Sequence, residues 1–228
     1  MGIDILNYGQ TDADILLIQM VDEHDLEVIE NEVKHIRKLS GNRKFCLKAV
    51  KVKSWNRDLS PWSAPAVFGN EDFGKGAPET LQYLQEKVLP SAGDKTTETI
   101  KKVYIGGYSL AGLFALWAGY QTDRFDGIAA VSPSIWFPGF TEYMRKNSVC
   151  SDAVYLSLGD REEKTRNPVM AQVGNAIRDA ENILKEAGKD CFLEWNRGTH
   201  FNEPALRTAK GFAWLLNRDC GTVNSGDL

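Results

Sequence analysis

The sequence predicts an α/β fold, a mostly parallel sheet covered by helices on both faces. Three observations carry that expectation. Short apolar runs alternate with longer amphipathic segments along the chain, the pattern of repeated strand–helix–strand units. The run Ile15-Leu16-Leu17-Ile18-Gln19-Met20-Val21 is apolar at consecutive rather than alternate positions, as a strand buried on both faces must be. The stretch from Lys101 to Tyr108 then passes through two glycines and Ser109 into Leu110, Leu113, Phe114 and Trp117 at helical spacing, which reads strand, sharp turn, helix.

Taken in order, the chain opens with an expected edge strand over Gly2 to Tyr8, followed by the buried strand at 15–21 and the turn Asp22-Glu23-His24-Asp25. Leu26, Ile29, Val33 and Ile36 mark the stripe of a helix that Ser40-Gly41 closes. Phe45 to Val52 is a second strong strand. Ser54 to Pro65 reads as neither strand nor helix because of its prolines. A loop that long, with Trp55 and Trp62 beside charged groups, is more often functional than filler. An amphipathic helix is expected over 77–89, with Pro78 tolerated in its first turn. After the Ser109 turn, Gly127 to Val131 is a strand ending in Ser132-Pro133-Ser134-Ile135-Trp136-Phe137-Pro138. Ala153 to Leu158 is a strand ending in Gly159-Asp160-Arg161-Glu162-Glu163-Lys164. Val169, Val173, Ile177 and Leu184 carry a helix that ends at Gly188. Cys191 to Trp195 is the last strand, Asn196 to Phe201 a polar loop, Ala205 to Leu216 the final helix, and 221–228 a loose polar tail. A single domain over residues 1–220 is therefore expected. In such sheets the chemistry collects at the carboxyl ends of the strands, where each of these loops falls.

Composition narrows the function. The net charge is −4 and no lysine–arginine cluster occurs, so there is no basis for expecting a nucleic-acid-binding surface. The longest apolar runs are too short to span a bilayer, so no membrane partner is expected. The start, Met1-Gly2-Ile3-Asp4, lacks the basic and then apolar signature of a secretory signal, so the expected location is cytoplasmic. Cys46, Cys150, Cys191 and Cys220 are far apart and read as reduced structural thiols. His24, His35 and His200 do not cluster with cysteine at metal-ligand spacing, and neither G-x-x-x-x-G-K-[ST] nor G-x-G-x-x-G is present. Neither a metal nor another cofactor is expected.

The turn at Ser109 has the residue choices of a nucleophile elbow. Gly107 and Ala111 flank the serine at −2 and +2, where small residues let strand and helix pass closely while the hydroxyl is thrust outward. Ala111 departs by one methyl group from the usual G-x-S-x-G. The following helix aims its free N–H groups at the serine, so the Leu110 N–H is the first expected oxyanion donor. Serine is a poor nucleophile unassisted and needs a base and an acid to orient that base. In the α/β-hydrolase arrangement these follow as nucleophile, acid, histidine. His200 after the last strand supplies the base. The acid lies among Asp160, Glu162 and Glu163; in hydrolases of this type it usually stands three residues after the glycine that ends the strand, which from Gly159 favours Glu162 over the other two. A second oxyanion donor is expected from the backbone of Asp22 or Glu23. Trp55, Asn56, Asp58, Trp62, Trp136 and Phe137 are candidate walls of the substrate pocket, although the aromatic ones could equally pack between loops. His24 stands near the expected mouth of the site, and His35 falls off the apolar stripe of its helix.

With these motifs in order, the chain resembles the Putative esterase family of α/β-hydrolases, the group that includes esterase D, enterochelin esterases and feruloyl esterase domains. The marks are Gly106-Gly107-Tyr108-Ser109-Leu110-Ala111-Gly112, Arg57-Asp58-Leu59-Ser60-Pro61, Ser132-Pro133-Ser134-Ile135-Trp136, Gly159-Asp160-Arg161-Glu162 and Gly198-Thr199-His200-Phe201. The resemblance implies a serine hydrolase acting on small-molecule carboxylic esters, with Ser109, Glu162 and His200 in the matching positions. It also implies an N-terminally short version of the fold. Glu23 stands where siderophore esterases have an Asp-Gly pair. Acyl transfer to another acceptor, peptide hydrolysis and an inactive binding module on the same scaffold are the rival readings, and the oligomeric state is left open.

Overall fold

The computed structural model describes residues 4–89 and 99–218; the polar tail expected at 221–228 and Cys220 lie outside them. Strands β1 (Asp4–Gly9), β2 (Ile15–Val21), β3 (Cys46–Lys51), β4 (Lys102–Tyr108), β5 (Gly127–Val131), β6 (Ala153–Gly159) and β7 (Asp190–Asn196) form a seven-stranded sheet in the order β1-β3-β2-β4-β5-β6-β7. Only β1, at the edge, runs antiparallel to its neighbour. This is the α/β-hydrolase fold.

Alternating side-chain direction divides the core into two layers. On one face Ile18, Met20, Val50 and Ile105 pack against Leu113, Phe114 and Trp117 of a helix that follows β4. On the other face Leu17, Val21, Leu47 and Tyr104 meet Ile29, Val33 and Ile36, together with Phe212, Leu215 and Leu216. The helices are α1 (Glu23–Leu39), α2 (Trp55–Asp58), α3 (Ala77–Tyr83), α4 (Leu110–Gln121), α5 (Phe140–Lys146), α6 (Val173–Glu186) and α7 (Pro204–Arg218). Every residue of α4 from Leu110 to Tyr120 is buried, which agrees with its nearly uninterrupted apolar sequence. Among the described residues no helix is long and apolar enough to cross a membrane.

Several elements differ from the sequence expectation. The segment at 54–65 contains one helical turn, α2, because the Asp58 carboxylate accepts the N–H groups of Lys53 (3.2 Å) and Ser54 (3.0 Å) and curls the chain back. The helix expected at 77–89 divides into α3 and a π-helical turn at Leu84–Val88. The helix expected from Val169 starts as a 3₁₀ turn at Met170–Gln172 before α6. Helix α5 was not expected; Phe140 and Met144 are its buried residues, too short a periodicity to stand out.

Candidate active site

Ser109 sits at the carboxyl end of β4 with φ 59° and ψ −121°, a left-handed conformation that costs a non-glycine residue about 1–3 kcal/mol. Backbone bonds hold it there. Its N–H donates to the Val131 carbonyl at 3.0 Å, and its own carbonyl accepts from Ser134 at 3.0 Å and Leu113 at 3.1 Å. Gly107 is demanded by close approach, since a Cβ there would lie 2.7 Å from the Ala111 Cβ. The strain is thus fixed by the loop after β5 and the first turn of α4, and the hydroxyl is left facing a cavity.

The Ser109 Oγ lies 3.1 Å from His200 Nε2, and His200 Nδ1 lies 2.7 Å from Glu162 Oε2. Ser134 Oγ approaches the serine hydroxyl to 3.3 Å. His200 is carried by the loop between β7 and α7, which the Tyr108 hydroxyl anchors by donating to the His200 carbonyl at 2.7 Å. Glu162 opens a 3₁₀ turn, Glu162–Lys164, just past β6. Its other oxygen, Oε1, accepts from the Gly159 N–H (2.7 Å), the Ser132 hydroxyl (2.8 Å) and the Arg207 guanidinium (2.7 Å). Burial alone would raise the Glu162 pKa. The hydrogen bonds and charges of His200 and Arg207 outweigh it and bring the carboxyl down to about 2.

The neighbouring acids are engaged elsewhere. Asp160 Oδ1 accepts the Gly198 N–H at 2.8 Å and so shapes the histidine loop. Glu163 faces outward to Arg178 at 3.2 Å. Of the three acidic candidates, the structure brings Glu162 to the histidine ring. His24 is exposed on the first turn of α1 and His35 is half-buried further along it; neither lines the Ser109 cavity.

That cavity, of about 630 Å³, is lined by Trp55, Phe68, Pro133, Trp136, Met170, Val173 and Phe201 around Ser109 and His200, with Asn56, Arg161 and Lys164 among its polar walls. Trp55, Asn56 and Trp136 therefore fall where the sequence placed them. Asp58, Trp62 and Phe137 do not line it, which corrects the pocket expected from sequence. Asp58 is spent on the backbone of Lys53 and Ser54. Trp62 packs on Phe137 (centroids 5.7 Å apart), Phe140 (6.2 Å) and Tyr143 (5.5 Å), and its indole N–H donates to the Pro138 carbonyl. These rings join loop to loop rather than facing a ligand.

Of the two backbone donors expected beside Leu110, Asp22 is engaged elsewhere, which leaves Glu23. The Asp22 N–H already donates to Asp25 Oδ2 at 3.1 Å, the Asp25 N–H returns to Asp22 Oδ1 at 2.9 Å, and the pair forms a capping box on α1. Asp22 and Glu23 line a depression with Lys51, Lys53 and Trp55, and Trp55 also lines the Ser109 cavity. The spacing Asp22-x-x-Asp25 was the signal for that cap. Leu110 opens α4 directly after Ser109, where the first N–H groups of a helix have no intrahelical acceptor. Sequence reasoning did not single out Phe68, Met170, Val173, Phe201, Ser132, Ser134 or Arg207. For Arg207 the sequence carried no signal, since a charged residue on a helix ordinarily faces solvent.

A family model described as Putative esterase matches residues 49–197, well over half of the chain, including Ser109 and Glu162 but not His200 or Arg207. The chain belongs to the Putative esterase family. Membership makes it a carboxylic ester hydrolase. No curated protein matches the esterase in sequence. Among solved structures, the siderophore hydrolase EstA from Aspergillus nidulans matches with a TM-score of 0.71 at 19% identity, over 95% of this chain and 89% of that one. An IroE-like serine hydrolase from Shewanella oneidensis matches with a TM-score of 0.71 at 14% identity, over 93% and 75%. The enterobactin esterase FES from Shigella flexneri matches with a TM-score of 0.61 at 15% identity; the esterase covers 94% of itself but 54% of that longer chain. At these identities the likeness is one of fold.

Proposed function

We propose that the chain hydrolyses small carboxylic esters through an acyl-enzyme on Ser109, with His200 as general base and acid and Glu162 as the carboxylate that orients it. The observation that carries this reading is the unbroken line from Ser109 Oγ to His200 Nε2 (3.1 Å) and from His200 Nδ1 to Glu162 Oε2 (2.7 Å). With Nδ1–H donated to Glu162, the lone pair of Nε2 is directed at the serine hydroxyl. His200 takes the hydroxyl proton as Oγ attacks the ester carbonyl, and the Leu110 N–H stabilises the developing oxyanion at the start of α4. The imidazolium then protonates the leaving alcohol. Water, deprotonated by the same ring, cleaves the acyl–serine bond and restores the hydroxyl.

The apolar lining of the cavity favours an ester with a hydrophobic or aromatic portion. Siderophore hydrolysis is not carried over from the structural neighbours, because their likeness lies in the fold. Initial rates on p-nitrophenyl acetate and butyrate test the mechanism. Ser109→Ala and His200→Ala should each lower kcat by about 10⁴-fold or more. Glu162→Ala should cost more than Asp160→Ala or Glu163→Ala. Wild-type rates in either of the first two variants would overturn the assignment, and Glu162→Ala proving the mildest of the three would remove Glu162 from it.

A further inference from the structure

Arg207 is 2% exposed. Its guanidinium donates to Glu162 Oε1 at 2.7 Å, to the Ser132 hydroxyl and to the Thr199 carbonyl at 3.2 Å, and lies 5.3 Å from the centre of the Tyr108 ring. The arrangement is not needed to satisfy Glu162. Its Oε1 already has two neutral donors, the Gly159 N–H and the Ser132 hydroxyl. Nor does it satisfy Arg207, whose Nε has no hydrogen-bond partner among the described residues. Burying a cation in this way is costly, and apolar residues commonly replace such pairs without loss of stability. What the guanidinium adds is a full positive charge on the far side of the carboxylate that faces His200.

Resting on the triad reading above, we propose that Arg207 is a positioning residue. It clamps Glu162 and offsets its negative charge, so that His200 stays unprotonated, and able to act as a base, to lower pH than a Glu–His pair alone would allow. A carboxylate at 2.7 Å stabilises the imidazolium, and a cation hydrogen-bonded to that carboxylate weakens the stabilisation. The other groups around the pair do not substitute for this charge. Tyr108 from β4 is neutral, with its pKa raised to about 12 by burial. Tyr155 from β6 donates to Glu194 of β7, which is also paired with Lys210 of α7. Asp160 is turned to the Gly198 N–H and Glu163 to Arg178. Arg161 and Lys164 stand exposed beside the cavity, in water that screens them.

The test is the pH dependence of kcat/KM for p-nitrophenyl butyrate. Arg207→Gln should move the acid limb upward by about one pH unit. Arg207→Lys should return it towards the wild type even where kcat stays reduced, because charge is restored without the forked geometry. An unshifted acid limb in a folded Arg207→Gln protein would reduce Arg207 to a structural residue and overturn the proposal. Should that variant not fold, Arg207→Met, which keeps an apolar chain in the buried space, gives a second reading by NMR titration of the His200 ring. The ring should take up its proton at higher pH than in the wild type; an unshifted midpoint also overturns the proposal. The ring titration needs no turnover, so it still decides the role of Arg207 if Ser109→Ala proves as active as the wild type and the catalytic reading falls.

Discussion

Gly107 and Ala111 show how one methyl group sets what its neighbour can be. The alanine at the +2 position of the elbow fills the space that a glycine would leave, and any side chain at 107 would meet it at 2.7 Å. Gly107→Ala should therefore strain the turn by about 1–3 kcal/mol, lowering Tm and, because the same turn aims Ser109, lowering kcat more than KM. The pairing was legible in the sequence, where Gly107-Tyr108-Ser109-Leu110-Ala111 announces strand, turn and helix. So was the order of Ser109, the acidic cluster and His200. Among the three acids the spacing after Gly159 already favoured Glu162; what it could not show is how the 3₁₀ turn after β6 rotates Glu162 inward and leaves Glu163 to Arg178. Arg207 was hidden for a related reason: a charge on a helix normally reads as solvated, and only the packing of α7 over the triad end of the sheet buries it.

Among the elements, α1 carries an unusual burden where it packs on β2. Glu32 is buried against Gln19, whose amide donates to it at 3.4 Å. Desolvation raises the Glu32 pKa well above the ordinary carboxyl value, with a further push from Asp25. The folded state therefore holds a proton that the unfolded chain releases above about pH 4.5. This stabilising contribution is complete below that pH and declines as pH rises towards the folded-state value. Glu32→Gln should raise stability at pH 7 by about 1 kcal/mol and flatten the fall, read from urea midpoints across pH. The aromatic loops make a second contrast. Trp62→Ala should cost about 3 kcal/mol through the lost packing on Phe137, Phe140 and Tyr143, with KM unchanged. Trp136→Ala should raise KM for p-nitrophenyl butyrate several-fold. Sequence could not separate the two tryptophans, since both lie in proline-bounded loops beside polar residues; the difference is which way each loop leans.

At the scale of the whole molecule, the charge network that holds the site also ties activity to acid stability. Glu162 is ionised in the folded state down to about pH 2, whereas in the unfolded chain it takes up its proton near pH 4.5. Its contribution, about 3 kcal/mol, is fully present above pH 4.5 and is lost as pH falls from there to about 2. The stability difference between the wild type and Glu162→Gln should shrink over that interval, as acid titrations followed by circular dichroism can measure. The layered sheet was the most legible part of the molecule, because consecutive apolar residues such as those of β2 have few other places to go. Its short helices α2 and α5 were the least legible, α2 being set by single side-chain contacts such as the Asp58 bonds.

The residues that the proposed mechanism places along the proton path, Ser109, Ser132, Glu162, His200 and Arg207, all come from the chain after β4 begins, whereas Trp55, Asn56 and Phe68 of the cavity wall come from the stretch between β3 and α3. One part of the cavity wall is thus written apart from the reacting groups, while Trp136, Met170, Val173 and Phe201 share their portion of the polypeptide. Exchanging the 54–76 stretch for loops of other lengths and polarities offers a way to redirect the catalyst towards new esters while its bond-breaking apparatus stays untouched.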